Sequence, residues 1–371
     1  MRGQFSLSYF AGSCWALEPR RFETYALIVR GWARGERASI AVMADVRADV
    51  QEIEARRASA TSAGGGSVRV LPLYGVITSR GNVMNEMSGP GSVSTQMFVA
   101  SLRDALADDS VGAIVIDVDS PGGSVYQIQE TGDELFAARK KKPVFAVANC
   151  LAASAAYWLG SQANHMFCTP SGEVGSIGVL AVHTDYSEAN KMDGVNPTYI
   201  SAGPYKTELN PDAPPSTEGV AYQQSRINDY YGAFCRAVAR GRGASVGDVR
   251  EKMGGGRVLG AADALAANMI CGIHSFTEAI DIARDAAKTG SLASVVVPEI
   301  EAADPGGLVV PKNLEAAVLE FAHAEPAPAV AVAAEPSAPE TAEPVAVGAT
   351  TPASAGLSLA KARNRVALAD Q

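Results

Sequence analysis

The sequence predicts an α/β fold of repeated β-α units around a mainly parallel sheet. The segment "VGAIVIDV" is a continuous apolar run, as expected of a strand buried on both faces. Between residues 67 and 290, strand-like runs alternate with helix-like stretches of about 10–15 residues, the pattern of crossover connections. At 371 residues the chain exceeds one ordinary domain, so a core domain with appendages is expected.

Taken in order, "VRVLPLYGVIT" reads as a strand and "STQMFVASLRDALADD" as a helix capped by Ser94 or Thr95. "VGAIVIDV" is the next strand, "VYQIQETGDELFAARKKK" the next helix and "PVFAVAN" the strand after it. A short helix begins near Ser154, and "PTYIS" reads as a later strand. Ligands of such folds sit beyond the carboxyl ends of the strands. The loops "DSPGG" and "NCLAAS" both fall there, which sets them toward one cleft.

The flanks differ in composition. Residues 1–66 are rich in Ala, Arg and Glu, with an amphipathic stretch "ASIAVMADVRADVQEIEARR" that reads as helical, and form a pro-region or docking segment. Residues 291–356 form a Pro/Ala/Glu tract with too little apolar surface to offset ordering entropy, and read as a disordered linker. Residues 357–371 regain helical spacing. A net charge of -9 argues against general nucleic-acid binding. Cys14, Cys150, Cys168, Cys235 and Cys271 are scattered with no CxxC, so neither a disulfide framework nor a zinc site is indicated. Reduced thiols fit a cytoplasmic protein, and the short, interrupted apolar run at the N-terminus argues against a membrane span. Cys150 reads as a buried structural thiol.

Several residues carry candidate chemistry. In "DVDSPGGSV", Pro121 stiffens a turn and Gly122-Gly123 permit unusual backbone conformations. That is either an ordinary strand-to-helix turn or a backbone N–H aimed into a cleft as an oxyanion donor. Ser154 is either a helix cap or a nucleophile, and the small Ala152, Ala153, Ala155 and Ala156 leave room for a substrate backbone. His165, His183, His274 and His323 show no triad pattern. The other activator of serine is a lysine of lowered pKa in a partly desolvated site, for which "GPYKTELNP" offers Lys206. Ser176 in "GEVGSIGVL" could hydrogen-bond an ammonium.

In order and spacing, "DSPGG", "AASAAYWLGSQA", "GEVGSIGV" and "GPYKTELNP" resemble the signal peptide peptidase A family of serine proteases. The match runs from 67 to about 280, ending in "GRVLGAADALAANMICGI". The resemblance implies a ClpP/crotonase superfamily fold and a Ser–Lys dyad. Ser154 would be the nucleophile, Lys206 the general base and Ser176 the group orienting it, with the N–H groups of Gly123 and Ala155 as oxyanion hole. No cofactor or metal is implied. Alanine stands at 155 and 156, where the family often has a glycine, and "ANMICGI" departs from its Gly-Leu-Val-Asp stretch.

"WALEPRRFETYALIV" with "VRVLPLYGVITSRGN" further resembles the head maturation proteases of tailed bacteriophages. That branch implies a protease domain at 67–290, a linker, and a scaffold helix starting within 357–371. Its substrates would be scaffold and capsid or portal proteins and its own tail. Active sites in the family lie in ring-like oligomers where Ser and Lys can come from adjacent protomers, so a homo-oligomer is expected. The rival readings are a cytosolic peptidase that clears peptides and a non-catalytic capsid-assembly scaffold.

Overall fold

The computed structural model describes residues 14–19, 22–23, 67–80 and 92–289. The amphipathic stretch at 38–57, the linker and the terminal scaffold helix lie outside the described residues.

The large sheet follows the strand order β10-β9-β7-β5-β2, where β2 is Val68–Tyr74, β5 Ala113–Ser120, β7 Val144–Ala153, β9 Glu173–Gly175 and β10 Val258–Gly260. β2, β5, β7 and β9 are parallel, and β10 closes the edge antiparallel. β7 is long enough to serve two neighbours. Its first half pairs with β8 (His165–Cys168), which also pairs with β11 (Gly272–Ile273), and its second half pairs with β9. The expected α/β architecture with a mainly parallel sheet is therefore present.

Helices on both faces explain the apolar strands. Ile114, Ile116 and Val118 of β5 pack in one core cluster with α1 (Thr95–Ala107) and α2 (Ile128–Ala138). The alternating Ala113 and Val115 face the opposite way, onto Ala279, Ile280, Ala283 and Ala286 of α8 (Phe276–Thr289). Strands with two dry faces need no polar alternation. Ser94 caps α1 as expected, its Oγ accepting from the Met97 N–H at 3.4 Å.

A second, four-stranded sheet has the order β1-β6-β3-β4, where β1 is Trp15–Leu17, β3 Val76–Thr78, β4 Ser92–Ser94 and β6 Gly122–Ser124. It corrects two expectations. "VRVLPLYGVIT" is not one strand, because Gly75 at φ 73° turns the chain from β2 into β3 of the other sheet. "DSPGG" does not lead straight into a helix either, because the chain re-enters a strand at Gly122. "PTYIS" forms no strand. Tyr199 and Ile200 lie exposed on an arm where no strand offers a partner.

That arm, residues 181–216, holds the short helix α4 (Ser187–Met192) and leads into α5 (Thr217–Arg242). It is tied to itself. Tyr186 N–H donates to the Pro211 carbonyl at 2.7 Å, Asn190 to the Asp212 carboxylate at 2.7 Å, and the Tyr199 hydroxyl to the same carboxylate. After it come α6 (Val246–Lys252) and α7 (Ala261–Ala266).

α5 also supports the base of the sheet. Trp158 stacks on its Phe234 at 4.7 Å, and Arg242 donates to Cys271 Sγ at 3.3 and 3.2 Å. Burial pushes the Cys271 thiol up. The His165 hydrogen bond and the Arg242 charge outweigh it and pull the group from 9.0 to about 6. A depressed acid contributes stability that is full above its unfolded value and is lost as pH falls through the folded one. The melting temperature of wild type should thus exceed that of Cys271→Ser at about pH 9, and the gap should shrink as pH drops toward about 6. Paired thermal melts across that window check this.

Candidate active site

β7 ends at Ala153 and α3 (Ala155–Gly160) begins at once, leaving Ser154 as the single residue of the turn. Its backbone is at φ 55°, ψ -119°, a conformation rare for a residue with a Cβ. Such strain costs about 1–3 kcal/mol and persists only where the surroundings impose it. Here the Ser154 N–H donates to the Gly175 carbonyl at 2.7 Å, and its carbonyl accepts from Trp158 at 2.9 Å. The serine does not cap the helix with its side chain. Oγ instead makes a long 3.4 Å contact to the Gly178 carbonyl. The capping reading is therefore set aside.

Gly122 makes this turn fit. It sits at φ +100°, and a Cβ there would lie 2.9 Å from Ser154 Cβ, 3.0 Å from the Ala153 carbonyl oxygen and 2.3 Å from the Ala16 carbonyl oxygen. On Gly123 a Cβ would meet the Ile77 carbonyl oxygen at 1.9 Å. The glycine pair thus lets β6 press simultaneously against β3, β1 and the serine turn. Ser120 fixes the approach, donating to the Gly75 carbonyl at 2.6 Å and accepting from the Gly122 N–H at 3.2 Å. Sequence reasoning singled out neither Ser120 nor Gly178, whose roles depend on pairing distant in sequence.

Ala155 follows Ser154 directly, and Gly123 follows Gly122, where a Cβ would lie 2.9 Å from Ser154 Cβ. Ala155 is the first residue of α3, so its N–H has no intrahelical acceptor. Ser176 is brought close as well, following Gly175, whose carbonyl holds the Ser154 N–H. Ser176 is buried at φ 53°, and its N–H donates to the Arg257 carbonyl at 2.7 Å. Lys206 is not brought to the group. It is exposed on the arm, and within one chain it makes no hydrogen bond to Ser154.

Among the described residues, the histidines are engaged elsewhere. His165 stacks on Phe145 at 5.6 Å, His274 meets the Phe167 edge at 4.9 Å, and His183 Nε2 contacts the Ala213 carbonyl at 3.2 Å. The buried Asp117 carboxylate accepts from the Tyr74 hydroxyl. Ala152, Ala153, Ala155 and Ala156, read as a substrate wall, are all fully buried. Cys150 is exposed rather than buried, at a register irregularity of β7 where Asn149–Leu151 fall between the Val118–Ala148 and Ser120–Ala152 pairs with β5.

A strained serine at a strand-to-helix turn, next to the unpaired first N–H of a helix, is an arrangement that can serve nucleophilic chemistry. Residues 137–290 match the model of peptidase family S49. This match agrees with the signal peptide peptidase A resemblance. It is 31% identical to the capsid assembly protease C of Escherichia phage lambda, over 59% of this chain and 49% of that protein. With the head-tail preconnector protein GP5 of Enterobacteria phage P21 it shares 33% identity over 48% of this chain and 35% of the other. Protease 4 of Salmonella typhi is 32% identical over 57% of this chain and 34% of its own length. The chain thus spans between a third and a half of these relatives. A ClpP1 mutant from Listeria monocytogenes aligns over 57% of this chain and 94% of that one, at 16% identity and a TM-score of 0.35. No helix among the described residues is long and apolar enough to cross a membrane.

The strain at Ser154 gives a direct expectation. Ser154→Gly should be more stable than Ser154→Ala by about 1–3 kcal/mol, because glycine adopts φ 55° freely whereas alanine keeps the strain. Urea unfolding of the two variants measures the difference.

Proposed function

We propose that the chain is a serine endopeptidase of phage head maturation whose nucleophile is Ser154 and whose general base is Lys206. The observation that carries this is Ser154 itself, held strained beside Gly122-Gly123 and the first N–H of α3 within an S49 domain. In this reading Ser154 Oγ attacks a peptide carbonyl carbon while its proton passes to the neutral amine of Lys206. The N–H groups of Gly123 and Ala155 hold the tetrahedral oxyanion. Collapse expels the amine of the departing peptide, which takes the proton from Lys206. Water, deprotonated by the same lysine, then hydrolyses the acyl-enzyme.

The lysine is supplied by a neighbouring protomer. Its arm favours this reading, because Met192 (84% exposed), Ile200 (96%) and Tyr205 (60%) leave apolar surface uncovered in the single chain. Enclosure between protomers would bury that surface, strip water from Lys206, and let Ser176 orient the amine. Two similar proteins are named a capsid assembly protease and a head-tail preconnector, which supports scaffold and capsid or portal proteins as substrates. The chain's own Ala-rich tail is a further substrate, and the segments outside 67–290 are read as processed or assembly-directing parts.

Intact mass followed over time for wild type, Ser154→Ala and Lys206→Ala tests this. Wild type alone should lose terminal segments. If both variants are trimmed at the wild-type rate, neither residue serves the reaction.

A further inference from the structure

Ser154 is completely buried, which no protease can tolerate while a substrate reaches it. Part of the cover comes from β1, whose Trp15 and Ala16 are fully buried and whose Leu17 is nearly so. β1 lies in a slot with two edges. On one edge it pairs antiparallel with β6, Ala16 opposite Gly123. On the other, Trp15 and Leu180 exchange both backbone hydrogen bonds at 2.9 Å. Residues 176–180 run past Ser154, and Gly178 in their midst is the contact of its Oγ.

The register matters. Glu18 N–H donates to the Pro121 carbonyl at 2.8 Å, and Val125 N–H to the Cys14 carbonyl at 3.4 Å. Bonded and non-bonded pairs alternate along an antiparallel ladder, so the pair between them, Ala16 and Gly123, is a bonded one. The Gly123 N–H, one of the two oxyanion donors in the proposed mechanism, therefore faces the Ala16 carbonyl. That carbonyl oxygen and Ser154 Cβ both lie within 3 Å of the point where Gly122 would carry a Cβ. A peptide substrate adding as a strand to the edge of β6 that β1 occupies would take this slot and this register.

The geometry points to β1 as an internal plug: Cys14–Leu17 occupies the peptide-binding groove in the manner of a substrate and closes the site until it is displaced. This inference rests on Ser154 being the protease nucleophile. It also gives the groove a preference. The substrate residue whose carbonyl meets Gly123 is small, as Ala16 is, and the residue before it is large and apolar, as Trp15 is. Trp15 anchors the plug against Phe22, ring centroids 6.5 Å apart.

Thiol access at position 154 tests the plug without requiring catalysis. In the full chain, Ser154→Cys should react slowly with a maleimide, and adding Trp15→Ala or Ala16→Arg should raise the rate at least tenfold. Peptide mapping of the buried Cys168 and Cys235 shows whether the core stays folded, and Ala16→Arg serves if Trp15→Ala opens it. Equal rates at position 154 in all folded variants would overturn the plug. Fluorophosphonate labelling of Trp15→Ala, with Ser154 intact, separates the two ideas. An uncovered thiol at 154 with no labelling of the serine removes the nucleophile and leaves a covered groove.

Discussion

The structure turns on the close approach of the Gly122-Gly123 strand to the Ser154 turn. No side chain fits at either glycine, since a Cβ would come within 1.9 Å of Ile77 and 2.3 Å of Ala16. Beside this contact β7 ends at Ala153, and the chain passes into α3 through Ser154 alone. The serine accepts a left-handed backbone as a result. In the proposed mechanism the Gly123 and Ala155 N–H groups hold the oxyanion, which would tie the strain and the oxyanion hole to this one approach.

The large sheet supplies the rigidity this needs. Ile114, Ile116 and Val118 on one side and Phe145, Val147 and Val115 on the other are sealed by helices, so the end of β7 has little freedom to relax. α3 is buried along its whole length, with Tyr157 donating to the Met269 carbonyl at 2.9 Å. A scaffold this fixed contrasts with the arm at 181–216, which holds itself through Asp212 and leaves its apolar residues in solvent. In the proposed dyad, the rigid serine turn and the exposed lysine arm are complementary halves that assembly of copies would join.

Much of the fold was legible because strands with two dry faces and helices with Ser caps follow local rules, as in "VGAIVIDV" and at Ser94. The serine turn was visible as a strand-to-helix junction with small neighbours. Other features depended on contacts distant in sequence. Gly75 reads like any turn residue until the second sheet is seen, and "PTYIS" has strand composition but no edge to join. Cys150 looked buried because free cysteines usually are, whereas here it and its half-buried neighbours Asn149 and Leu151 lie at an irregularity of β7. Trp15–Leu17 offered too short a run to read as a strand, yet it lies between Gly123 and Leu180. Pairing of Ser154 with Lys206 came only from the resemblance, since one chain does not join them.

The measurement that tests the central claim most directly is peptidase activity in mixtures of Ser154→Ala and Lys206→Ala protein. Each alone should be inactive. Co-assembled in equal amounts, they should recover about a quarter of the wild-type rate, the share of sites with an intact serine facing an intact lysine in a randomly assembled symmetric ring. Mixed oligomers, verified by mass, that stay inactive would contradict a dyad shared between protomers.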